Sequence, residues 1–267
     1  MIIPAFTLFI LGTMVGSFLS VINYRIRHNK SGILFGRSEC RHCRKKLTAF
    51  ELIPLISYSI SRGKCRHCGK SISPIYPLLE LISGLLLLFL YMSYPFIGVT
   101  YAGITFFDGF LLLQYIYTAF VVLCLIGILF YDIEYLEIPE LYTFPAIAII
   151  FVWGIFSPTI SLYSMALGGG LAALFFGGQV MISKEEWLGS GDTQVGILMG
   201  LFLGWELFLV ALMVTYFLGL LITLLLMALK KVNRKSKIPF APFLVIGTLI
   251  SLFYGSYLIE LYTTTLL

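Results

Sequence analysis

Apolar residues run along this chain in long unbroken blocks, not in the alternating or one-faced patterns of half-buried strands and surface helices. The blocks cover Ile2–Ile22, Pro77–Met92, Phe110–Tyr131, Ile138–Phe156, Leu162–Ile182, Thr193–Leu229 and Ile238–Leu258. About 20 apolar residues in helical form cross the hydrocarbon core of a bilayer. The block from Thr193 to Leu229 is too long for one crossing, and Gly204, Trp205 and Glu206 offer the break that divides it. The pattern predicts an all-α polytopic membrane protein with about eight transmembrane helices.

Composition agrees with that reading. The 267 residues are 59% hydrophobic and 12% charged, with a mean hydropathy of +0.97. A soluble domain carries about 25% charged residues, so too little polar surface exists here to coat a water-soluble globule. Coiled coil, disorder and a disulfide-rich secreted scaffold are excluded on the same ground. The net charge of +5 matters less than its placement. Twelve of the 18 Lys and Arg lie between residues 23 and 76, among only two acids, Glu39 and Glu51. Five more cluster at Lys230, Lys231, Arg234, Lys235 and Lys237, and Lys184 stands alone. With eight crossings, every one of these charges falls on one side, as the positive-inside rule requires of the cytoplasmic face. The Ile2–Ile22 block lacks a basic leader and is followed by many positive charges. It reads as an anchor with the N-terminus outside, not as a cleaved signal. The expected organisation is a first transmembrane helix at 1–22, a cytoplasmic insert at 23–76 and a membrane-embedded domain at 77–267.

The insert carries two similar stretches, each opening with Cys-Arg-His-Cys and set 25 residues apart, at Cys40, Cys43 and at Cys65, Cys68. A Cys-x-x-Cys turn brings two thiolates to one metal ion, and two such turns close a four-sulfur zinc site. A segment this small needs such a staple in place of a core. Two disulfides or four inert thiols are the alternatives, and a cytoplasmic setting disfavours disulfides. His42 and His67, inside the knuckles, are alternative ligands to a sulfur. Cys124, alone in an apolar block, reads as a small buried hydrophobe.

A second constellation is made of carboxylates at the edge of the apolar blocks, where charge is costly and marks function. Asp132 closes the third block and Asp192 follows Gly189, Ser190 and Gly191. The topology puts both at the same face of the membrane. Asp192 could serve only as a helix cap, whereas Asp132, at a helix C-terminus, opposes the helix dipole and has no such excuse. Asp108 reads as a cap on the opposite side. Paired carboxylates suit hydrolysis of a peptide without a covalent intermediate, one activating water while the other polarises the carbonyl. Small residues at Gly189 and Gly191 would let an extended substrate approach. No serine-nucleophile elbow, His-Glu-x-x-His helix or phosphate loop occurs, and all three histidines lie in or beside the insert.

Taken in order, these motifs resemble the bacterial prepilin peptidases, the type IV leader peptidases of the membrane Gly-x-Gly-Asp aspartic protease group. The resemblance runs over nearly the whole chain. It rests on Gly16 to Leu19 with Asn23 to Arg25, on Glu51 to Tyr58, on Arg62 to Gly69, and on Tyr76, Pro77 and Glu80. It continues through the Asp132 segment, Gly189 to Asp192, and Pro239 to Phe243. It implies an aspartic endopeptidase that removes short basic leaders from type IV prepilin or pseudopilin precursors at the cytoplasmic face of the bacterial plasma membrane. Many members then methylate the new N-terminus with S-adenosylmethionine. The family's aspartates map onto Asp132 and Asp192, and its cysteine tetrad onto Cys40, Cys43, Cys65 and Cys68. The chain departs from the family at Glu140, where Asp is usual after Pro139, and at Gln194, where Lys is frequent. Membrane lipid is an expected partner and nucleic acid is not.

Glu134, Glu137 and Glu140 follow Asp132, and Glu185 and Glu186 precede Asp192, on a face otherwise rich in Lys and Arg. Either these are ordinary solvated acids or they form a collar that steers a basic leader. Two rival functions are a non-enzymatic zinc-knuckle scaffold of a pilus, competence or secretion assembly, and a transporter relaying protons through its carboxylates.

Overall fold

A computed structural model describes residues 2–28, 36–99, 105–157, 159–233 and 236–266. Lys30, Arg234 and Lys235 of the basic clusters lie outside the described residues. The elements, in order, are α1 (Ile2–Arg27), a 3-10 turn (Ala49–Leu52), α2 (Ile56–Ile60), α3 (Ile75–Ser93), β1 (Ile97–Val99) and β2 (Thr105–Phe107). Then come α4 (Gly109–Tyr135), α5 (Glu140–Phe156), α6 (Leu162–Ser183), α7 (Ser190–Ala228) and α8 (Ala241–Leu266). Among the described residues six helices are long and apolar enough to cross a membrane, and α5 is a shorter apolar helix of 17 residues.

The expected break in the sixth block is present. As one straight rod the 39 residues of α7 would measure about 58 Å at 1.5 Å per residue, far more than a bilayer core. Instead Gly204 leaves the helical region at φ 74° and ψ 174°, a conformation open to glycine and strained for other residues. Contacts with α6 show that the chain turns back there. Ser164, near the start of α6, accepts a hydrogen bond from the Trp205 N–H at 3.3 Å. Further along, the adjacent Phe175 and Phe176 touch different arms of α7. Phe176 covers Gly196, and Phe175 meets the Tyr216 ring edge-on at 5.7 Å. Counting the two arms separately and adding α5 gives the eight rods that the sequence predicts.

The chain forms two compact units, residues 1–127 and 128–267, with the boundary inside α4. In the first, α1 and α3 pack antiparallel. A Cβ on Gly12 would lie 2.7 Å from Gly84 Cα, and one on Gly16 would lie 2.8 Å from Glu80 Cα. The Gly-x-x-x-Gly spacing lets the two backbones meet, as small residues do where apolar burial supplies no driving force between helices. Asn23, buried near the end of α1, donates to the Gly127 carbonyl at 3.3 Å. The β1–β2 pair, with Ile97 opposite Phe107, was not legible in the sequence. After it, Asp108 caps α4 as expected, accepting from the Phe110 and Leu111 N–H groups at 2.9 and 3.0 Å.

In the second unit α6 packs on the first arm of α7, where Gly168 and Gly200 meet backbone to backbone. The second arm packs on α8. Ser251 donates to the Leu207 carbonyl at 2.6 Å and Thr215 to the Phe243 carbonyl at 3.2 Å. The helices end differently from the apolar blocks. α1 runs on to Arg27 and α4 to Tyr135, because polar residues past a membrane core continue a helix as readily as apolar ones do.

Candidate active site and metal centre

The two cysteine stretches fold into the same knuckle. In the first, the Cys40 N–H donates to Lys45 O at 3.0 Å and the Arg44 N–H to Cys40 O at 2.9 Å. In the second, the Cys65 N–H donates to Lys70 O and the Gly69 N–H to Cys65 O, both at 2.8 Å. Each knuckle is closed by one antiparallel bridge, Glu39 with Lys46 and Lys64 with Ser71. Both need a left-handed residue, supplied by Arg44 at φ 56° and Gly69 at φ 71°. The four sulfurs of Cys40, Cys43, Cys65 and Cys68 lie within 4.8 Å of one another, Cys40 and Cys68 at 3.9 Å. None is in a disulfide. Four sulfurs around a tetrahedral zinc at 2.3 Å stand about 3.8 Å apart, so the cluster is positioned to hold a metal ion. His67 turns instead to the Glu51 carboxylate, 3.3 Å away. That carboxylate also accepts from the Thr48 N–H and hydroxyl at 2.9 and 2.8 Å. These two bonds, with His67 and Arg66 nearby, hold Glu51 below the usual carboxylate range.

Glu80, in α3, is 8% exposed. Its Oε2 accepts the N–H of Leu55 at 2.8 Å, a residue held at φ 62°. One membrane carboxylate therefore fixes a strained turn of the insert. Between the knuckles and the ends of α1 and α3 lies a cavity of about 790 Å³, with Arg25, Arg41, Glu39, Ser17, Tyr58 and Glu80 among its lining. The Arg41 guanidinium lies over the rings of Tyr24 and Tyr76, at 4.4 and 4.8 Å from their centroids.

The second unit holds both aspartates. Asp132 sits in the last turn of α4 and is 5% exposed. Asp192 is half-buried in the first turn of α7. Each is fixed through one oxygen by a backbone amide. Asp132 Oδ2 accepts the Ala241 N–H at the start of α8 at 3.1 Å, and Asp192 Oδ2 accepts the Gly189 N–H at 3.2 Å. Gly191, next to Asp192, packs against Ile138 in the segment that follows Asp132, and the charge of Asp192 acts on Asp132, so residues 60 positions apart in sequence come near one another. A helix N-terminus also answers why a carboxylate ends α4. The Ala241 amide and the positive end of α8 stabilise it there. Asp192 does cap α7, yet from the third helical position, with Gly189 as the residue before the helix.

The two glycines of the turn differ. A Cβ on Gly191 would lie 3.0 Å from Ile138 Cβ, whereas one on Gly189 would meet nothing nearer than Asp192 Oδ2 at 3.6 Å. Gly191 therefore makes room for Ile138, in the link between α4 and α5, and Gly189 is the one with open space beside it. Gln194, at the position where the family often has Lys, takes a hydrogen bond from the buried Thr143 at 3.3 Å, tying α7 to α5. Of the acids flanking the aspartates, Glu137, Glu140, Glu185 and Glu186 are exposed and Glu134 is half-exposed. Lys184 and Glu185 turn the chain before Asp192 in left-handed conformations, at φ 51° and 65°. The structure adds Ala241, Tyr216, Gln179 and Phe240 to this neighbourhood. The Pro239–Phe243 segment signals Ala241 and Phe240 in the sequence, but nothing there marks Tyr216 or Gln179.

Comparison with known proteins places this arrangement. A family model described as Bacterial Peptidase A24 N-terminal domain matches residues 10–94. A second, described as Type IV leader peptidase family, matches residues 119–224. Among similar curated proteins is a prepilin leader peptidase/N-methyltransferase of Bacillus subtilis, 29% identical, with 96% of this chain and 96% of the relative covered. Proteins of that name from Aeromonas hydrophila and Neisseria gonorrhoeae are each 27% identical. They cover 97% and 89% of this chain and 93% and 86% of their own lengths. No solved structure matches. Two family models in tandem span residues 10–94 and 119–224, and the relatives align over nearly their full length: the chain belongs to the type IV leader peptidase family.

Proposed function

We propose that this protein is an aspartic endopeptidase of the bacterial plasma membrane that removes the short basic leader of type IV prepilin or pseudopilin precursors at the cytoplasmic face. The observation that carries the reading is the approach of the segments that bear Asp132, at the end of α4, and Asp192, at the start of α7, each carboxylate held through Oδ2 by an amide. Oδ1 of each is then the oxygen available for chemistry. One carboxylate, ionised, takes a proton from water as the oxygen attacks the scissile carbonyl. The other, protonated, gives its proton to the carbonyl oxygen and later the pair returns one to the leaving nitrogen. Like charge on a neighbouring carboxylate disfavours ionisation of both, and this favours the mixed protonation state that the mechanism needs.

Glu134, Glu137, Glu140, Glu185 and Glu186 fit a collar that attracts Lys- and Arg-rich leaders, and open space at Gly189 fits an extended substrate backbone. The positive-inside pattern supports the cytoplasmic placement of both insert and aspartates. Zinc is the metal best suited to the four-sulfur cluster, and a closed set of four protein ligands makes it structural.

The relatives' names include an N-methyltransferase activity, for which S-adenosylmethionine is the methyl donor that the family resemblance implies, and the residues of the first unit fit it. A zwitterionic donor asks for both signs of charge, and the cavity beside the knuckles supplies both in ample volume. Arg25 and Arg41 would take its carboxylate, and Glu39 with Ser17 its ammonium and ribose hydroxyls. When bound, it would supply an activated methyl group to the amine exposed by cleavage.

Purified protein incubated with a pilin-like precursor, read by mass, tests the reading. Asp132→Asn and Asp192→Asn should each abolish cleavage, a loss of at least 10³-fold, in protein that remains folded. Near wild-type cleavage by either variant would overturn the assignment of Asp132 and Asp192 as the reacting pair, whereas no cleavage by the wild-type protein would return the chain to the scaffold or transporter class.

A further inference from the structure

The aspartates have a polar neighbour that the mechanism above leaves unused. Tyr216, on the second arm of α7, is 38% exposed, and the charge of Asp192 reaches its hydroxyl. Its ring is clamped on two sides, edge-on to Phe175 of α6 at 5.7 Å and to Phe240, before α8, at 5.7 Å. The same Phe240 precedes Ala241, whose N–H holds Asp132. One short segment therefore positions a carboxylate with its backbone and a tyrosine with its side chain.

The hydroxyl is oriented too. Gln179 Nε2 donates to the Phe175 carbonyl at 3.2 Å and also lies 3.2 Å from the Tyr216 oxygen. Anchoring one amide hydrogen on Phe175 turns the other toward Tyr216. The tyrosine oxygen accepts from Gln179 Nε2, and its own hydrogen is the one left to donate. Gln179 Oε1, at 3.3 Å, holds that hydrogen until a better acceptor arrives.

We propose that the Tyr216 hydroxyl, set by Gln179, is a third catalytic group of the peptidase site. It donates a hydrogen bond to the carbonyl oxygen of the bond being cut and strengthens that bond as the oxygen becomes an oxyanion. Tyr216 then touches the reacting atoms, and Gln179 is a positioning residue. No proton need be transferred from the phenol, so the hydrolytic balance of water, carboxylate pair and leaving amine is unchanged. The inference rests on the reading that Asp132 and Asp192 are the reacting carboxylates.

Tyr216→Phe keeps the ring packing and removes only the donor. Loss of one oxyanion donor costs on the order of 10²-fold in kcat, and KM for the precursor should change little. A transition-state mimic carrying a hydroxyl in place of the scissile carbonyl should lose affinity in parallel with kcat, a change that a purely structural role would not produce. Gln179→Leu leaves Tyr216 in place and should lower kcat about tenfold or less, on the same principle, and the double variant should be no worse than Tyr216→Phe alone. It also serves as the test should Tyr216→Phe melt early. Full kcat in both variants, with the Asp→Asn proteins inactive, would overturn the role of Tyr216 and leave the carboxylate pair standing. Active Asp→Asn proteins would instead remove the pair itself.

Discussion

The cysteine knuckles and the aspartate site are both assembled from short pieces of chain, yet they are specified in opposite ways. Each knuckle is closed by its own backbone. The bonds around Cys40 and Cys65 span a few residues, and the second copy repeats the first at a 25-residue offset. The aspartate site has no such autonomy. Asp132, Asp192 and Ala241 come from three helices, and Asp132 is held by an amide 109 residues away. A local motif tolerates a loose surround and depends on its metal. A long-range site tolerates almost any local sequence and depends on helix packing. Damage to the two regions should therefore look different.

The largest structural effect is expected from Cys→Ser at Cys40, Cys43, Cys65 or Cys68. Each should release the metal and unfold the knuckles, because metal binding and folding are coupled in sites this small. Metal analysis and limited proteolysis of the 36–76 segment will read this. Helices α6 to α8 should keep their protection, and an insert that stays resistant without metal would break the contrast. Next is Gly200→Ala, whose Cβ runs into the backbone carbonyl of Gly168. Separating α6 from the first arm of α7 should cost about 1–3 kcal/mol and displace Asp192. A lowered melting temperature with reduced cleavage, and normal metal content, is the expected result.

A smaller effect should follow from replacing Glu137, Glu185 and Glu186 together by Gln. Apparent substrate affinity should weaken by roughly tenfold or less for the most basic leaders, with turnover nearly kept. The difference should shrink as salt screens it over about 10 Å. Equal losses for neutral and basic leaders would leave the acids as ordinary solvated groups. The smallest effect is a gain. Arg44 occupies the left-handed position that Gly69 fills in the sister knuckle. A side chain there costs about 1–2 kcal/mol, and glycine's own entropy returns up to about 1 kcal/mol of that. Arg44→Gly should thus raise the chelator concentration needed to unfold the insert slightly, and a decrease would show that the arginine side chain stabilises the turn.

How much of this was legible follows the same division. The spans were, because a block of apolar residues long enough for a bilayer has few other fates in water. So was the cysteine tetrad, whose spacing states its own geometry. Gly204 marked a break, although only the contacts of the two arms with Ser164, Phe175 and Phe176 show that α7 reverses there. Asp132 and Asp192 were visible as candidates from charge in an apolar setting. The reason that Asp132 can end α4 was not, since its partner is an amide at the start of α8. The Gly191 side of the turn read as room for substrate, and Ile138 occupies it.

By itself the sequence determined the membrane class, the number of helical rods, the metal-binding repeat and the candidate carboxylates, all of which depend on composition and short-range spacing. Only the tertiary structure decided which oxygen of each aspartate is occupied, which glycine faces open space and that Tyr216, bonded to Gln179, packs on Phe240 next to the amide that holds Asp132. Those choices are made by helices that pack through small residues and single hydrogen bonds. In an apolar setting every helix is as hydrophobic as its neighbour, so sequence pattern carries little information about which faces meet.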